Sequence, residues 1–325
     1  MRAIIPVAGF GKRLKPHTYS LPKVLLNVGG KPIVGHIIDK LVEEKIFKAT
    51  FIIGYHGEQI VDYVTNKHPE IEADFVEQKE MLGLGHAIKM AAHTFDEKEI
   101  FIILGDTIFD VHITDVFKKK QTSLGVKVVE DPRRFGVAIM ENGRIQRLIE
   151  KPETPVSNLA LVGLYYIANP VLLSECLDEL FEKDIKTSNE YQLTDALQLM
   201  IDKGEPVSVF PVEGWYDCGK PETLLATNQY LLMKKSFHPR LDNVSVVEPV
   251  YIDETARVKN SVIGPYATIA ANCEITDAII KNSIISPGAV VKRAMLENSI
   301  IGSEAVVKGS YKKLNTGDSS EIEFY

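Results

Sequence analysis

Through the first 240 residues, short unbroken apolar runs alternate with stretches in which apolar residues recur every three or four positions. Ala3–Val7 is the first run, and Ile33–Glu44 follows with Val34, Ile37, Ile38, Leu41 and Val42 at helical spacing. Runs at 49–53, 73–76 and 99–104 predict buried strands, with helices over 57–68 and 85–95 between them. Strands that are apolar throughout and separated by helices predict a mostly parallel sheet covered on both faces. Later runs at 124–129, 136–140 and 144–149 also read as strands, the last two joined by Asn142-Gly143, a strong hairpin signal, so the sheet gains antiparallel members. A strand at 159–167, helices over about 170–183 and 191–203, a strand at 207–212 and a helix at 221–235 opened by Pro221 complete this part. The fold class expected is α/β, a Rossmann-like mixed sheet with helices on both faces.

Past His238-Pro239 the texture changes. A frame Asn-Ser-(Val/Ile)-Ile-(Gly/Ser)-x-x-Ala-x-(Ile/Val) starts at Asn260, Asn282 and Asn298, and a looser copy lies over 251–258. Within the copies an aliphatic residue returns after six positions, as in Ile263 and Ile269, Ile285 and Val291, or Ile301 and Val307, with a small Ala between. Such steps predict a parallel β-helix, whose rungs bury their aliphatics only by stacking on one another. The pattern resembles the left-handed β-helix of hexapeptide repeats. Two domains are expected, 1–240 and 241–325.

Composition narrows the function. At 325 residues and 45% hydrophobic content the chain can bury two cores, and a net charge of −7 argues against a nucleic-acid or anionic-membrane surface. The apolar run after Met1-Arg2 is too short for a signal-peptide core and no stretch is long enough to span a bilayer, so a cytoplasmic protein is expected. Cys176, Cys218 and Cys273 are widely spaced and form no C-x-x-C pair, which argues against disulfides and zinc. No pair of histidines has metal-ligand spacing, and His86 and the others are read as structural.

Against that acidic average stands a local basic cluster. The first strand runs into Gly9-x-Gly11, followed by Lys12, Arg13, Lys15 and Lys23. Glycines let a backbone approach a ligand, and the cations point to an anion, most simply a polyphosphate. The spacing is neither that of the dinucleotide fold, which needs a third glycine at Leu14, nor that of the ATPase loop, which needs Ser or Thr where Arg13 stands. Asp106 closes the apolar strand Ile102–Leu104 as either a cap or a hard-metal ligand. Gln78, between a strand and a helix, offers the donor and acceptor that a pyrimidine edge requires. Glu150-Lys151-Pro152, taken plainly, is a solvated charge pair before a turn.

The longer strings carry a resemblance. Gly9-Phe10-Gly11-Lys12-Arg13-Leu14-Lys15-Pro16, with Leu21-Pro22-Lys23 and Lys31-Pro32-Ile33, resembles the signature G-x-G-T-R-L-x-P…P-K…K-P of the sugar-nucleotide pyrophosphorylases, with Lys12 where the family has Thr. Leu104-Gly105-Asp106 resembles their G-D motif, and Gly214-Trp215-Tyr216-Asp217-Cys218-Gly219 their W-x-D-T-G, with Cys218 in place of Thr. Asp131-Pro-x-x-Phe135-Gly136, Glu150-Lys151-Pro152 and Asn189-Glu190-Tyr-Gln-Leu193-Thr194-Asp195 match the sugar half of the family site in order and spacing.

The resemblance covers nearly the whole chain and is closest to long-form glucose-1-phosphate thymidylyltransferases, whose tail is similar to 317–323. It implies dTTP and α-D-glucose 1-phosphate as substrates, dTDP-glucose and pyrophosphate as products, Mg²⁺ as cofactor and a homo-oligomer. By resemblance Arg13 and the amides of the turn (Ala8, Gly9, Gly11, Lys12) would hold the outer phosphates, Lys23 the α-phosphate, and Asp106 with Asp217 the metal. Gln78 and Gly83 would read the base. Lys151 would meet the sugar phosphate, and Gly136, Glu150, Leu161 and Glu190 the sugar. Two alternatives stand beside this: UTP as the nucleotide, since Gly83-Leu-Gly-His86-Ala also resembles uridylyltransferases, and a non-catalytic regulatory paralogue. Acyl transfer on the β-helix would need a histidine base, and none follows His238.

Overall fold

The structure, a computed structural model, describes residues 1–111 and 113–309. The tail at 317–323 lies outside the described residues. Two compact units make up the chain: residues 1–26 with 31–227, and residues 27–30 with 228 onward.

In chain order the elements run β1 (Arg2–Pro6), β2 (Asn27–Val28), which belongs to the second unit, and then, in the first, β3 (Lys31–Pro32), α1 (Ile33–Glu43), β4 (Lys48–Ile53), α2 (Gly57–Lys67), β5 (Glu72–Glu77), α3 (Leu84–Met90) and β6 (Ile100–Ile103). They continue with β7 (Thr107–Asp110), α4 (Ile113–Phe117), β8 (Ser123–Val128), β9 (Gly136–Glu141), β10 (Arg144–Glu150) and β11 (Leu159–Ile167). The last are α5 (Pro170–Glu182), α6 (Leu193–Asp202), β12 (Ser208–Pro211), β13 (Gly214–Asp217) and α7 (Pro221–Lys234), which crosses the boundary. One nine-stranded sheet has the order β10-β9-β11-β6-β1-β4-β5, with β8 on β11 and β12 on β8. β1 pairs parallel to β4 and β6, β4 parallel to β5, while β11 runs antiparallel to β6, β8 and β9, as expected for a mixed sheet.

The alternation within β1 explains its unbroken apolar run. Ala3 and Ile5 face a core shared with Val34, Ile37, Ile38 and Leu41 of α1, whereas Ile4 faces the opposite core with Leu173 and Leu177 of α5 and Leu197 of α6. Both faces are dry from Ala3 onward, which keeps that run apolar, while Arg2 at the strand's start is buried against Asp74 and Asp96. Each such aliphatic contributes about 1.5–3 kcal/mol of burial.

Two helices are shorter than the periodicity predicts. The helix expected over 85–95 stops at Met90 and gives way to a single tight turn, Ala92–Thr94, because the Thr94 backbone N–H and hydroxyl both turn back to the carbonyl of Ala91 at 2.9 and 2.8 Å. The helix expected from 191 starts at Leu193, because the backbone of Tyr191 is spent elsewhere: its N–H reaches Leu82 O and its carbonyl receives the Gly85 N–H, both at 2.8 Å. One element was not foreseen, a two-stranded ribbon of β13 on β7.

The second unit coils. The strands of the coil are β14 (Val244–Val246), β15 (Val250–Ile252), β16 (Arg257–Lys259), β17 (Ser261–Ile263), β18 (Ala267–Ile269), β19 (Glu274–Thr276), β20 (Ile279–Lys281), β21 (Ile284–Ile285), β22 (Val290–Lys292), β23 (Met295–Glu297), β24 (Ile300–Ile301) and β25 (Val306–Lys308). Three four-stranded parallel sheets collect every third one, in the orders β14-β17-β20-β23, β15-β18-β21-β24 and β16-β19-β22-β25. This is the parallel β-helix that the repeat predicts. Ile252, Ile269, Ile285 and Ile301 stack in one column and Val258, Ile275, Val291 and Val307 in another. The corners are left-handed turns: Asn260, Asp277 and Arg293 have φ of 48, 52 and 53°, and Tyr266, Asn282 and Asn298 have 63, 41 and 51°. Asn adopts that region more readily than most residues, which explains its recurrence.

The repeat spacing needs correction here. Asn282 lies one coil below Asn298, with their side chains hydrogen-bonded at 2.5 Å, but Asn260 occupies a neighbouring corner and stacks on Asp277. The first two copies of the frame are therefore offset by a coil and one face, and Ile263 stacks on Ile280 rather than on Ile285. Among the described residues no helix is long and apolar enough to cross a membrane.

Candidate active site

β1, β4 and β6 deliver their carboxyl ends to one edge of the sheet, where open α/β sheets bind ligands. The Gly105 N–H bonds the Pro6 carbonyl at 3.3 Å, drawing the loops after β1 and β6 together. In the glycine turn the two glycines have different reasons. Gly11 has φ +60°, and a Cβ there would lie 2.9 Å from Lys23 Cβ and 3.0 Å from Thr18 Cγ2; the Thr18 hydroxyl also donates to the Gly11 carbonyl at 3.0 Å. Packing thus requires Gly11. A Cβ at Gly9 would meet nothing within 4 Å, so no packing requires it, and its smallness serves only the cavity that it lines.

That cavity, about 440 Å³, brings together most of the nucleotide residues read from the sequence: Ala8, Gly9, Gly11, Lys12, Arg13 and Lys23 at one part, Gln78 and Gly83 at another. A second cavity of about 280 Å³ is lined by Arg13, Asp106, Leu161 and Asp217. Arg13 and Asp106 line both, so the two cavities meet there.

Lys23 is buried and places Nζ 2.7 Å from Asp106 Oδ2. Burial alone would raise the Asp106 carboxyl, but the charge and hydrogen bond of Lys23, helped by backbone and Thr107 hydrogen bonds, outweigh it and hold the group below the ordinary carboxylate value. The second acid arrives on the ribbon. Asp217 is registered against Thr107, the next residue after Asp106, and the Cys218 N–H donates to the Asp106 carbonyl at 3.0 Å. A Cβ at Gly219 would stand 2.7 Å from Arg13 Nη2 and 2.8 Å from Asp217 Oδ1, so guanidinium and carboxylate crowd onto one glycine.

The donor set fits Mg²⁺. It consists of two carboxylates, hard oxygen donors, and among the described residues no group of three or more His, Cys, Asp or Glu side chains is gathered that would suit a metal held wholly by protein. Mg²⁺ characteristically takes one or two carboxylates and completes its octahedron with water and substrate phosphate. No histidine or thiolate is present to favour a softer ion.

Around the second cavity, Glu150 accepts a hydrogen bond from the Thr194 hydroxyl at 2.7 Å. A Cβ on Gly136 would lie 2.9 Å from Glu150 Oε2 and 3.0 Å from both Leu161 Cδ1 and Thr194 Oγ1, so Gly136, Glu150, Leu161 and Thr194 form one cluster. Lys151 turns its ammonium to Glu150 Oε1 at 3.3 Å and is exposed. Glu190 is not in this cluster: it lines the larger cavity beside Gly83.

Sequence reasoning missed Arg134 and Lys220, two cations on the second cavity, which Trp215 of the W-x-D segment also lines. A signal existed for both. Arg133 folds back on Asp131 at 2.8 and 3.0 Å, which leaves its neighbour Arg134 for the cavity, and Lys220 directly follows the W-x-D segment.

Cys218, which stands where the family has Thr, is fully buried, with Sγ 4.0 Å from the Tyr216 carbonyl. Burial pushes its thiol up to about 12 and those of Cys176 and Cys273 up to about 11. All three should therefore be inert in the native protein: a thiol-specific disulfide reagent at pH 8 is expected to titrate none rapidly, and three after unfolding in guanidinium. One fast native thiol would contradict the burial described here.

Comparison with known proteins agrees with this geometry. The Nucleotidyl transferase family profile matches residues 2–234, and the GMPPB C-terminal domain profile matches residues 246–315. The chain is 38% identical over 262 residues to the bifunctional protein GlmU of Methanocaldococcus jannaschii, covering 79% of this chain but only 61% of that relative. It is 27% identical over 322 residues to a glucose-1-phosphate thymidylyltransferase of Streptomyces griseus, covering 90% of this chain and 88% of the relative. Among solved structures, a UDP-glucose pyrophosphorylase complexed with UDP-glucose superposes with a TM-score of 0.63 at 25% identity, over 72% of this chain and 99% of the other. Since the family profile matches residues 2–234, well over half of its length, the chain belongs to the nucleotidyl transferase family, among the sugar-nucleotide pyrophosphorylases.

Proposed function

We propose that this nucleotidyltransferase joins a nucleoside triphosphate to a hexose 1-phosphate, with dTTP and α-D-glucose 1-phosphate the favoured pair, releasing pyrophosphate. The observation that supports it most is the seam between the two cavities, where Arg13, Lys23, Asp106 and Asp217 meet. Residues 1–240 are then the catalytic domain and 241–325 a left-handed β-helix domain with its tail.

A phosphate oxygen of the sugar phosphate attacks the α-phosphorus, the bond from that phosphorus to the β-bridging oxygen breaks, and the electron pair leaves on pyrophosphate. That oxygen is already nucleophilic, so the chain needs no general base. Its task is to hold two polyanions in line and to offset the charge that develops on them. Arg13 and the turn amides of Ala8, Gly9, Gly11 and Lys12 grip the outer phosphates, Lys23 faces the α-phosphate, and Lys151 the sugar phosphate. Glu150, steadied by Thr194, accepts sugar hydroxyls beside Gly136 and Leu161, with Glu190 at the neighbouring wall. Asp106 and Asp217 would hold Mg²⁺, which would further neutralise the phosphate charge.

UTP is the second reading, because Gln78 faces a feature that thymine and uracil share. What supports dTTP is the thymidylyltransferase relative, which runs alongside nearly the full length of this chain. Pyrophosphate release should be measured for dTTP, UTP, GTP, CTP and ATP against several hexose 1-phosphates with Mg²⁺. Turnover is expected with dTTP and glucose 1-phosphate and no added partner. Its absence with every pair would leave the regulatory-paralogue reading instead.

A further inference from the structure

Gln78 is 5% exposed and lines the larger cavity. Its Nε2 donates to the Gly83 carbonyl at 3.3 Å and stands 3.0 Å from His86 Nδ1. An amide nitrogen only donates, so the ring nitrogen opposite it must accept, which requires a neutral imidazole carrying its proton on Nε2. The surroundings agree: the ring is itself buried, a ring N–H is taken up by the backbone carbonyl of Glu80, and burial lowers the imidazole's basicity. The Phe181 ring packs beside it with centroids 5.7 Å apart. Turning the Gln78 amide over would set its oxygen 3.3 Å from the Gly83 carbonyl, acceptor against acceptor, so that contact fixes the amide and with it the tautomer. Both hydrogens of Nε2 are thus spent within the protein, and only Oε1 is left for a ligand.

We propose that His86 is a positioning residue that locks the Gln78 amide with its oxygen toward the nucleobase, so that the site takes a pyrimidine bearing an N3–H and rejects cytosine. Uracil and thymine donate from N3 to that oxygen, whereas cytosine presents a lone pair there. The proposal rests on the nucleotidyltransferase reading above and assigns His86 a role in specificity that the chain's histidine spacing does not suggest.

The test compares wild type with His86→Asn and His86→Gln. Asparagine sets its amide oxygen near the position of Nδ1 and restores the acceptor; glutamine reaches the Nε2 position and leaves Nδ1 unreplaced. The ratio of kcat/KM for UTP or dTTP to that for CTP is expected to stay close to wild type in His86→Asn and to fall roughly 10- to 100-fold in His86→Gln, the loss of one oriented hydrogen bond. Equal ratios in the two variants, or a wild type that uses CTP as well as UTP, would overturn the proposal.

A measurement on the unmutated protein stands apart from turnover. Imidazole ¹⁵N shifts, assigned by the signal lost in His86→Asn, should report a neutral ring protonated on Nε2, and any other state refutes the lock. A protein that turns over no nucleotide yet shows this tautomer would sink the parent reading and leave the lock standing.

Discussion

Lys23→Ala is expected to lower kcat for pyrophosphate release by about 10²–10³-fold with the fold intact, the usual effect of removing one preorganised charge from a phosphoryl-transfer site. The loss has two sources. The ammonium that in the proposed mechanism faces the α-phosphate disappears, and Asp106 loses its main charged partner, so that only the backbone and Thr107 hydrogen bonds still oppose the effect of burial. Lys23→Arg keeps the charge but replaces a compact, buried ammonium 2.7 Å from Asp106 Oδ2 with a planar fork, and should recover only part of the rate. Turnover within about threefold of wild type in the Ala variant, with circular dichroism unchanged, would remove Lys23 from the proposed machinery.

Gly264→Ala should be strongly destabilising to the β-helix. Gly264 has φ +104°, and a Cβ there would lie 1.9 Å from the Val247 carbonyl oxygen and 2.6 Å from Val250 Cγ1. The nearest obstacle is backbone, which cannot swing aside as a flexible side chain can. Gly143 makes the control, since its φ is +78° but nothing lies within 4 Å of the added carbon. Gly143→Ala should cost about 1 kcal/mol from backbone conformation alone, and Gly264→Ala about 3 kcal/mol or more. Chemical denaturation followed by circular dichroism would show the difference; equal losses at the two positions would mean that the coil yields at this corner.

Much of the architecture is legible in the chain because it follows from burial. The run Ala3–Val7 can only be a strand dry on both faces, and α1 follows from the spacing of Val34, Ile37, Ile38 and Leu41. The β-helix is legible because its aliphatic columns must repeat to stack. Its phase is less so, since Asn260 and Asn282 share a local frame, set by left-handed corners, while sitting at different corners. Helix ends are hidden for a related reason: whether Tyr191 starts a helix depends on Leu82 and Gly85, more than a hundred residues away in sequence.

For the candidate site, the charged motif residues can be picked out beforehand by type and context, but their pairings cannot. Lys23 on Asp106, Thr194 on Glu150 and Gln78 on His86 join residues 83, 44 and 8 positions apart. Arg134 and Lys220 escape notice because surface cations are common, and the signal for each, its place beside a motif residue, gains weight only from the cavity that both line.

The ribbon of β7 and β13 has one further consequence. Asp106 and Asp217 belong to distant parts of the chain, yet four backbone pairings from Gly214 against Asp110 to Asp217 against Thr107 clamp their supports side by side. The two carboxylates thus behave as one jaw, whose span is set by a ribbon and not by the separate loops that lead into its strands.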